Sequence, residues 1–160
     1  MRQMDASLIA DTVAVLCVQA NRNLPGDVAC ALHHAQKQEP FAPARELLDL
    51  LADNERIARE TCMPICQDTG MAVVFVDVGQ DVHINGSLEQ AVNEGVRRGY
   101  TEGMLRKSVV GDPLRRVNTG DNTPAIVHTR LVEGEQVTIT VAPKGFGSEN
   151  MSRLQMLTPA

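Results

Sequence analysis

Apolar positions recur every three or four residues from Leu8 to Ala58 and then crowd into short β-branched runs, so the chain is expected to start with helices and continue as a sheet. Leu8, Ile9, Thr12, Val13, Leu16 and Ala20 form one helical stripe, which Asn23-Leu24-Pro25-Gly26 interrupts. Val28, Ala31, Leu32 and Ala35 mark a second helix that ends by Pro40. Pro43 suits the first turn of a third helix, with the stripe Leu47, Leu48, Leu51 and Ala58. That helix must stop before Pro64, because proline excludes the helical conformation from its predecessor.

Met71-Ala72-Val73-Val74-Phe75-Val76-Asp77-Val78, closed by Gly79, has the composition of a buried strand. Asn85-Gly86 turns the chain, and Ser87 with Gln90 forms a capping box for a helix that buries Leu88, Ala91, Val92 and Val96 and ends near Gly99. Residues Ala125 to Val132 and Gln136 to Val141 flank Glu133-Gly134-Glu135, the pattern of an antiparallel hairpin. Val137, Ile139 and Val141 share one face of it; Thr138 and Thr140 share the other. The expected fold class is α+β: an N-terminal helical layer over residues 5–62, then a mixed sheet with an antiparallel hairpin within 63–160. Asn150 opens a further element that stops at Ala160, so the chain reads as the front part of a larger domain.

Composition narrows the partners. Apolar residues make up 43% of the chain and aromatics only 2%, so the core must be aliphatic. A formal net charge of −5 argues against nucleic acid, whose phosphates demand a basic face. No apolar run approaches the ~20 residues of a membrane span, and the N-terminus lacks the apolar stretch of a secretory signal, so a cytoplasmic location is expected. In that setting Cys17, Cys30, Cys62 and Cys66 are not a disulfide framework. Cys17 and Cys30 fall within helical patterns and are expected to be small buried residues. Cys62 and Cys66 are separated by three residues, not the two of zinc knuckles and redox pairs.

Polar residues gather in three glycine-bearing loops: Pro64-Ile65-Cys66-Gln67-Asp68-Thr69-Gly70, Asn118-Thr119-Gly120-Asp121-Asn122-Thr123-Pro124 and Lys144-Gly145-Phe146-Gly147-Ser148-Glu149-Asn150. Cys66 would give a soft ligand for iron–sulfur or zinc, with Gln67 and Asp68 beside it to hold hydroxyls or water. The plainer reading is a turn capped by Asp68 and Thr69. As a nucleophile Cys66 would need an activating histidine, and none of the four lies near it in sequence; nor does any histidine spacing demand zinc. The third loop exposes backbone N–H groups suited to a carboxylate, without the spacing of a nucleotide P-loop. Arg106, Lys107, Arg115 and Arg116 are either solvated surface or the fork that a dianionic substrate requires.

In this order and spacing, the three loops together resemble the α-type region of class I, iron–sulfur-dependent fumarate hydratases and L-tartrate dehydratases, from about residue 5 onward. Phe146 departs from the all-glycine form of the third loop. The resemblance implies a hydro-lyase with a 4Fe-4S cluster held by three cysteines, one iron remaining open to substrate. Cys66 matches the first of those cysteines, and the other two lie beyond Ala160 in the family. Gln67 and Asp68 would contact a small dicarboxylate, Asp68 counting also as catalytic, Arg106 would clamp a carboxylate, and Gly147 would donate its backbone N–H. The proton-abstracting group belongs to a β-type region, fused or separate, so a homo- or hetero-oligomer is implied and this chain alone would be incomplete. Fumarate and tartrate both stay open as substrates, and a non-catalytic assembly module is the alternative from another class.

Overall fold

A computed structural model describes residues 1–147 and 152–158. The elements are β1 (Arg2–Asp5), α1 (Ala6–Arg22), α2 (Gly26–Gln38), α3 (Ala42–Thr61), β2 (Met71–Gly79), β3 (Val82–Asn85), α4 (Leu88–Glu102), β4 (Ile126–Val132) and β5 (Val137–Lys144). The α+β class and the order of helices before sheet are as the pattern predicts. Pro43 lies in the first turn of α3, and the Ser87 hydroxyl accepts the Gln90 N–H at the start of α4 (3.3 Å). Residues 152–158 form no regular element, while Asn150 and Met151 lie outside the described residues.

The core lies where α1 and α4 pack together against one face of β2. Ile9, Val13 and Cys17 of α1 meet Val92, Val96 and Tyr100 of α4 and Ala72, Val74 and Val76 of β2. The face of α1 that faces this core is Ile9, Ala10, Val13, Ala14 and Cys17. Leu8, placed on the stripe by spacing, is exposed. The displacement has a packing cause: α4 meets α1 through glycines. A Cβ on Gly95 would lie 2.6 Å from the Ala10 carbonyl oxygen and 2.7 Å from Val13 Cβ; one on Gly99 would lie 2.8 Å from the Ala14 carbonyl oxygen. Small residues on α1 therefore face the seam, and α4 runs past Gly99 to Glu102.

The strand pairing departs from the hairpin expectation. β4 and β5 run in opposite directions, but β2 lies between them: the sheet order is β4-β2-β5, with β2 parallel to β4 and antiparallel to β5. A run as uniformly apolar as 71–78 gains most by pairing on both edges. The turn at Glu133–Glu135 closes over the end of β2, where Gly79 N–H donates to Gln136 O (2.8 Å), Gln80 N–H to Val132 O (2.8 Å) and Asp81 N–H to Gly134 O (3.0 Å). The parallel β2–β4 pair needs a crossover, which α4 supplies. A second, two-stranded parallel sheet joins β1 to β3, and neither strand was expected. On the sheet face away from the helices, Phe75 stacks on His128 (centroids 5.1 Å apart) and Arg130 pairs with Asp77 (2.6 Å), each across the β2–β4 register.

α2 and α3 form a helical hairpin beside α1. α2 buries no residue, so Cys30 is exposed rather than buried. On α3 the buried positions are Ala52, Glu55 and Ala58, while Leu47 and Leu51 of the expected stripe face outward. The periodicity marks an apolar face of which Ala58 is buried and Leu48 half-buried, while Leu47 and Leu51 stay exposed.

Two consequences can be measured. Gly95→Ala should raise helix propensity by ~1 kcal/mol yet destabilise the protein by about 1–3 kcal/mol, because the neighbour that must yield is backbone. Chemical denaturation reads the sign directly, and a stabilised variant would refute the close α1–α4 seam. The exposed apolar side chains Leu47, Leu50 and Leu51 of α3, Phe75 of the sheet, and Leu154, Met156 and Leu157 near the end predict that the isolated chain self-associates. Sedimentation of a single monomeric species at micromolar concentration would contradict this.

Candidate functional site

The loop that bears Cys66 is placed by the ends of two helices. α3 stops at Cys62, which has φ 56°, and Met63 N–H returns to the Ala58 carbonyl (3.0 Å), a left-handed helix stop made without glycine. Ile65 is then pinned from both sides: its N–H donates to the Asn21 carbonyl of α1 (2.9 Å), and its carbonyl accepts Asn54 Nδ2 of α3 (2.9 Å). Cys66 follows as an exposed residue on a fixed stem. Its Sγ accepts the Asp68 N–H (3.4 Å), and its thiol reaches Gln67 Oε1 (3.5 Å).

Asp68 and Gly70 draw the third loop onto the first. Asp68 Oδ1 accepts the Gly70 N–H (3.2 Å), and Oδ2 accepts the Phe146 N–H (2.8 Å). Gly70 has φ 62°, and a Cβ there would lie 2.1 Å from the Lys144 carbonyl oxygen, so only glycine lets the two backbones approach this closely. Gly147 is thereby carried to within one residue of the Asp68 contact. Ser148, Glu149 and Asn150, the rest of that loop, lie outside the described residues.

The arginine segment and the second loop join the same point. Thr69 Oγ1 donates to the Arg106 carbonyl (2.9 Å), and the buried Tyr100 hydroxyl donates to the Thr69 carbonyl (2.8 Å). Burial, reinforced by the nearby Cys17, pushes the Tyr100 phenol well above its usual range, so it serves as a neutral donor. Asn122, fully buried, accepts the Ser108 and Val109 N–H groups on Oδ1 (2.7 and 3.2 Å) and donates from Nδ2 to the Gly70 carbonyl (3.0 Å). Asn118 Nδ2 donates to the Lys107 carbonyl (2.9 Å). The Arg106 side chain is exposed, and no acceptor engages it among the described residues. Asp121 next to Asn122 loses something to desolvation, but the N–H and hydroxyl of Thr123 outweigh it and hold the carboxyl below its usual range.

Cys66, Gln67, Asp68, Arg106 and Gly147 thus belong to segments tied to one another by hydrogen bonds between the side chains of Asp68, Thr69 and Asn122 and the backbone. Arg115 and Arg116 lie on a separate turn organised by Asp112, whose Oδ1 accepts the Leu114 and Arg115 N–H groups (2.9 and 2.7 Å). The sequence reading missed Tyr100 and Asn122. Tyr100 is the chain's single tyrosine, a residue that finds a partner for its hydroxyl when buried, and this was the available signal.

A family model described as fumarate hydratase (Fumerase) matches residues 10–160. The chain belongs to this family. Among its relatives, a protein from Methanocaldococcus jannaschii provisionally named L(+)-tartrate dehydratase subunit alpha is 37% identical over 160 residues, covering 95% of this chain and 55% of that protein. The L(+)-tartrate dehydratase subunit alpha of Escherichia coli is 26% identical over 163 residues, covering 99% of this chain and 54% of its own length. The anaerobic class I fumarate hydratase of Escherichia coli is 37% identical over 109 residues, covering 67% of this chain and 20% of that protein. The fumarate hydratase family to which the chain belongs is one of hydro-lyases, and the chain spans about half the length of the tartrate dehydratase subunits it matches.

Class I members depend on iron–sulfur chemistry, and the donors here fit one corner of such a group. Cys66 is exposed, and its sulfur accepts a backbone N–H, the bond that favours a ligating thiolate. No set of three His, Cys, Asp or Glu side chains suited to a metal occurs among the described residues. Cys17 does not fit: burial pushes its thiol up to about 12.

A thiol label applied to the metal-free protein, followed by peptide mapping, checks this assignment. Cys30, Cys62 and Cys66 should react in the native state, and Cys17 only after unfolding. Native labelling of Cys17 at the rate of Cys66 would remove the distinction.

Proposed function

We propose that this chain supplies part of the active site of an iron–sulfur hydro-lyase that reversibly hydrates fumarate to malate. The observation that carries the reading is the tying of the Cys66 loop, the Arg106 segment and the Gly147 loop to one point at Asp68–Gly70. Hydration adds water across the double bond: one C–O and one C–H bond form as the π bond and one O–H bond of water are lost. Cys66 is one of three thiolate ligands of a 4Fe-4S cluster, which when bound supplies a Lewis acid. The Arg106 guanidinium holds one substrate carboxylate through its fork, and the Gly147 N–H adds a neutral donor. The Gln67 amide and Asp68 orient the substrate hydroxyl. Each Asp68 oxygen already accepts one backbone N–H and keeps a further lone pair for that hydroxyl. A β-type subunit or domain supplies the proton-transferring group, in a cytoplasmic oligomer.

A second reading, L-tartrate dehydration, has its own support: the tartrate dehydratase subunits match over 160 and 163 residues, the fumarate hydratase over 109. Turnover of fumarate and of L-tartrate by the full-length protein with its β-type partner separates the two. Absence of iron and acid-labile sulfide after anaerobic reconstitution would instead favour a non-catalytic assembly module.

Within the complete enzyme, Arg106→Ala should keep the iron spectrum and lose catalytic efficiency. A lost charged hydrogen bond to substrate costs about 2–5 kcal/mol, or roughly a 30- to 4,000-fold fall in kcat/KM. Arg106→Lys should recover only part, since an ammonium lacks the fork. Near-normal kinetics in Arg106→Ala would move the carboxylate clamp to Arg115 or Arg116.

A further inference from the structure

The buried amide of Asn122 is used on three sides, and the groups it holds belong to two different parts of the site. Oδ1 takes the N–H groups of Ser108 (2.7 Å) and Val109 (3.2 Å); Nδ2 gives its proton to the Gly70 carbonyl (3.0 Å). Asn122 has φ 66°, a left-handed conformation that asparagine tolerates better than most residues, and its side chain is wholly inaccessible. Ser108 is two residues beyond Arg106, and Gly70 is one residue beyond Thr69, whose hydroxyl holds the Arg106 carbonyl (2.9 Å). Asn122, the 69–70 backbone and the 106–109 backbone therefore form a closed ring of hydrogen bonds. Tyr100 anchors that ring to the core through the Thr69 carbonyl (2.8 Å).

We propose that Asn122 is the positioning residue that sets where the Arg106 segment stands relative to the Cys66–Gly70 loop, and through it the affinity for a dicarboxylate. This rests on the reading of Arg106 as the carboxylate clamp. The chemistry singles out an amide. Two inward N–H groups need an acceptor, and a carbonyl needs a donor, and no other uncharged side chain of that length presents both on one planar group. Aspartate would keep the acceptor and set an oxygen against the Gly70 carbonyl, leaving that carbonyl unpaired. Serine is too short to span the ring.

The test uses the full-length protein with its partner region and iron restored, and takes succinate, an unreactive four-carbon dicarboxylate, as the binding probe. Asn122→Asp should bind succinate about 10- to 100-fold more weakly, the range expected when a clamp is displaced by ~1 Å. Its KM for the reacting dicarboxylate should rise in step, while iron content per chain stays at the wild-type level. Thr69→Val, which removes the second link of the ring with little change of shape, should weaken succinate in the same direction. The two effects must pass through Arg106. In an Arg106→Ala background, adding Asn122→Asp should change succinate affinity less than about 2-fold, because neighbours acting as one unit are not additive. A variant that folds less well but binds succinate normally, its kcat falling with the active fraction, would overturn the proposal and leave a structural role only. Full additivity with Arg106→Ala would overturn it too. Wild-type protein that binds succinate but turns over neither fumarate nor tartrate would refute the hydro-lyase assignment while the succinate comparison still decides the role of Asn122.

Discussion

At Gly70 the backbone passes the Lys144–Gly145 peptide so closely that a side chain would lie 2.1 Å from a carbonyl oxygen. Contacts below about 3 Å between a Cβ and backbone cannot be relieved by a rotamer change, so this crossing fixes the relation between the start of β2 and the end of β5. The two strands pair in register up to that point, Met71 opposite Lys144. The loops before Met71 and after Lys144 therefore leave the sheet together, at the same corner. Cys66 to Asp68 sit on one of them and Gly147 on the other. The site is thus a consequence of β2 being the central strand with β5 antiparallel beside it.

The same corner is held in depth. Asp68 caps the third loop, Thr69 holds the Arg106 carbonyl, and Asn122 closes the ring. Each buried hydrogen bond of this kind nets only about 0.5–1.5 kcal/mol, but leaving its partner unpaired costs about 1–3 kcal/mol. Networks of this sort fix one arrangement more than they raise total stability. That suits a site whose ligands arrive from several segments, because binding energy is then not spent on ordering the loops.

What the sequence disclosed follows from what is local. The helices announce themselves through spacing, the Ser87 cap through its neighbours, and the three loops through glycine and polar side chains placed between apolar runs. Partner choice is not local, and there the reading failed. Glu133-Gly134-Glu135 has the form of a hairpin turn, yet β2, some fifty residues earlier in the chain, takes both pairing positions. Gly99 looks like a helix end because propensity counts against it, while its function is to let α1 approach α4. Leu47 and Leu51 form a true apolar face whose partner no periodicity can reveal. Asn122 reads as one more polar loop residue; its burial becomes visible only once the strands set the loops against one another. The candidates Cys66, Asp68 and Arg106 stand out in the sequence because their residue types suit a soft ligand, a hydroxyl contact and a carboxylate clamp, whereas the residues that hold their segments need only the right shape and one donor or acceptor.

The central claim, that the crossing at Gly70 assembles the site, is tested most directly by Gly70→Ala in the full-length enzyme, with kcat/KM, iron content and the far-UV helical signal measured on the same sample. The claim predicts a fall in kcat/KM of at least about 100-fold, as expected for groups displaced by ~1 Å, with the helical signal kept, because the α1–α4 seam is made at Gly95 and Gly99 and not at Gly70. Kinetics and iron content within a few-fold of the unsubstituted enzyme would contradict it.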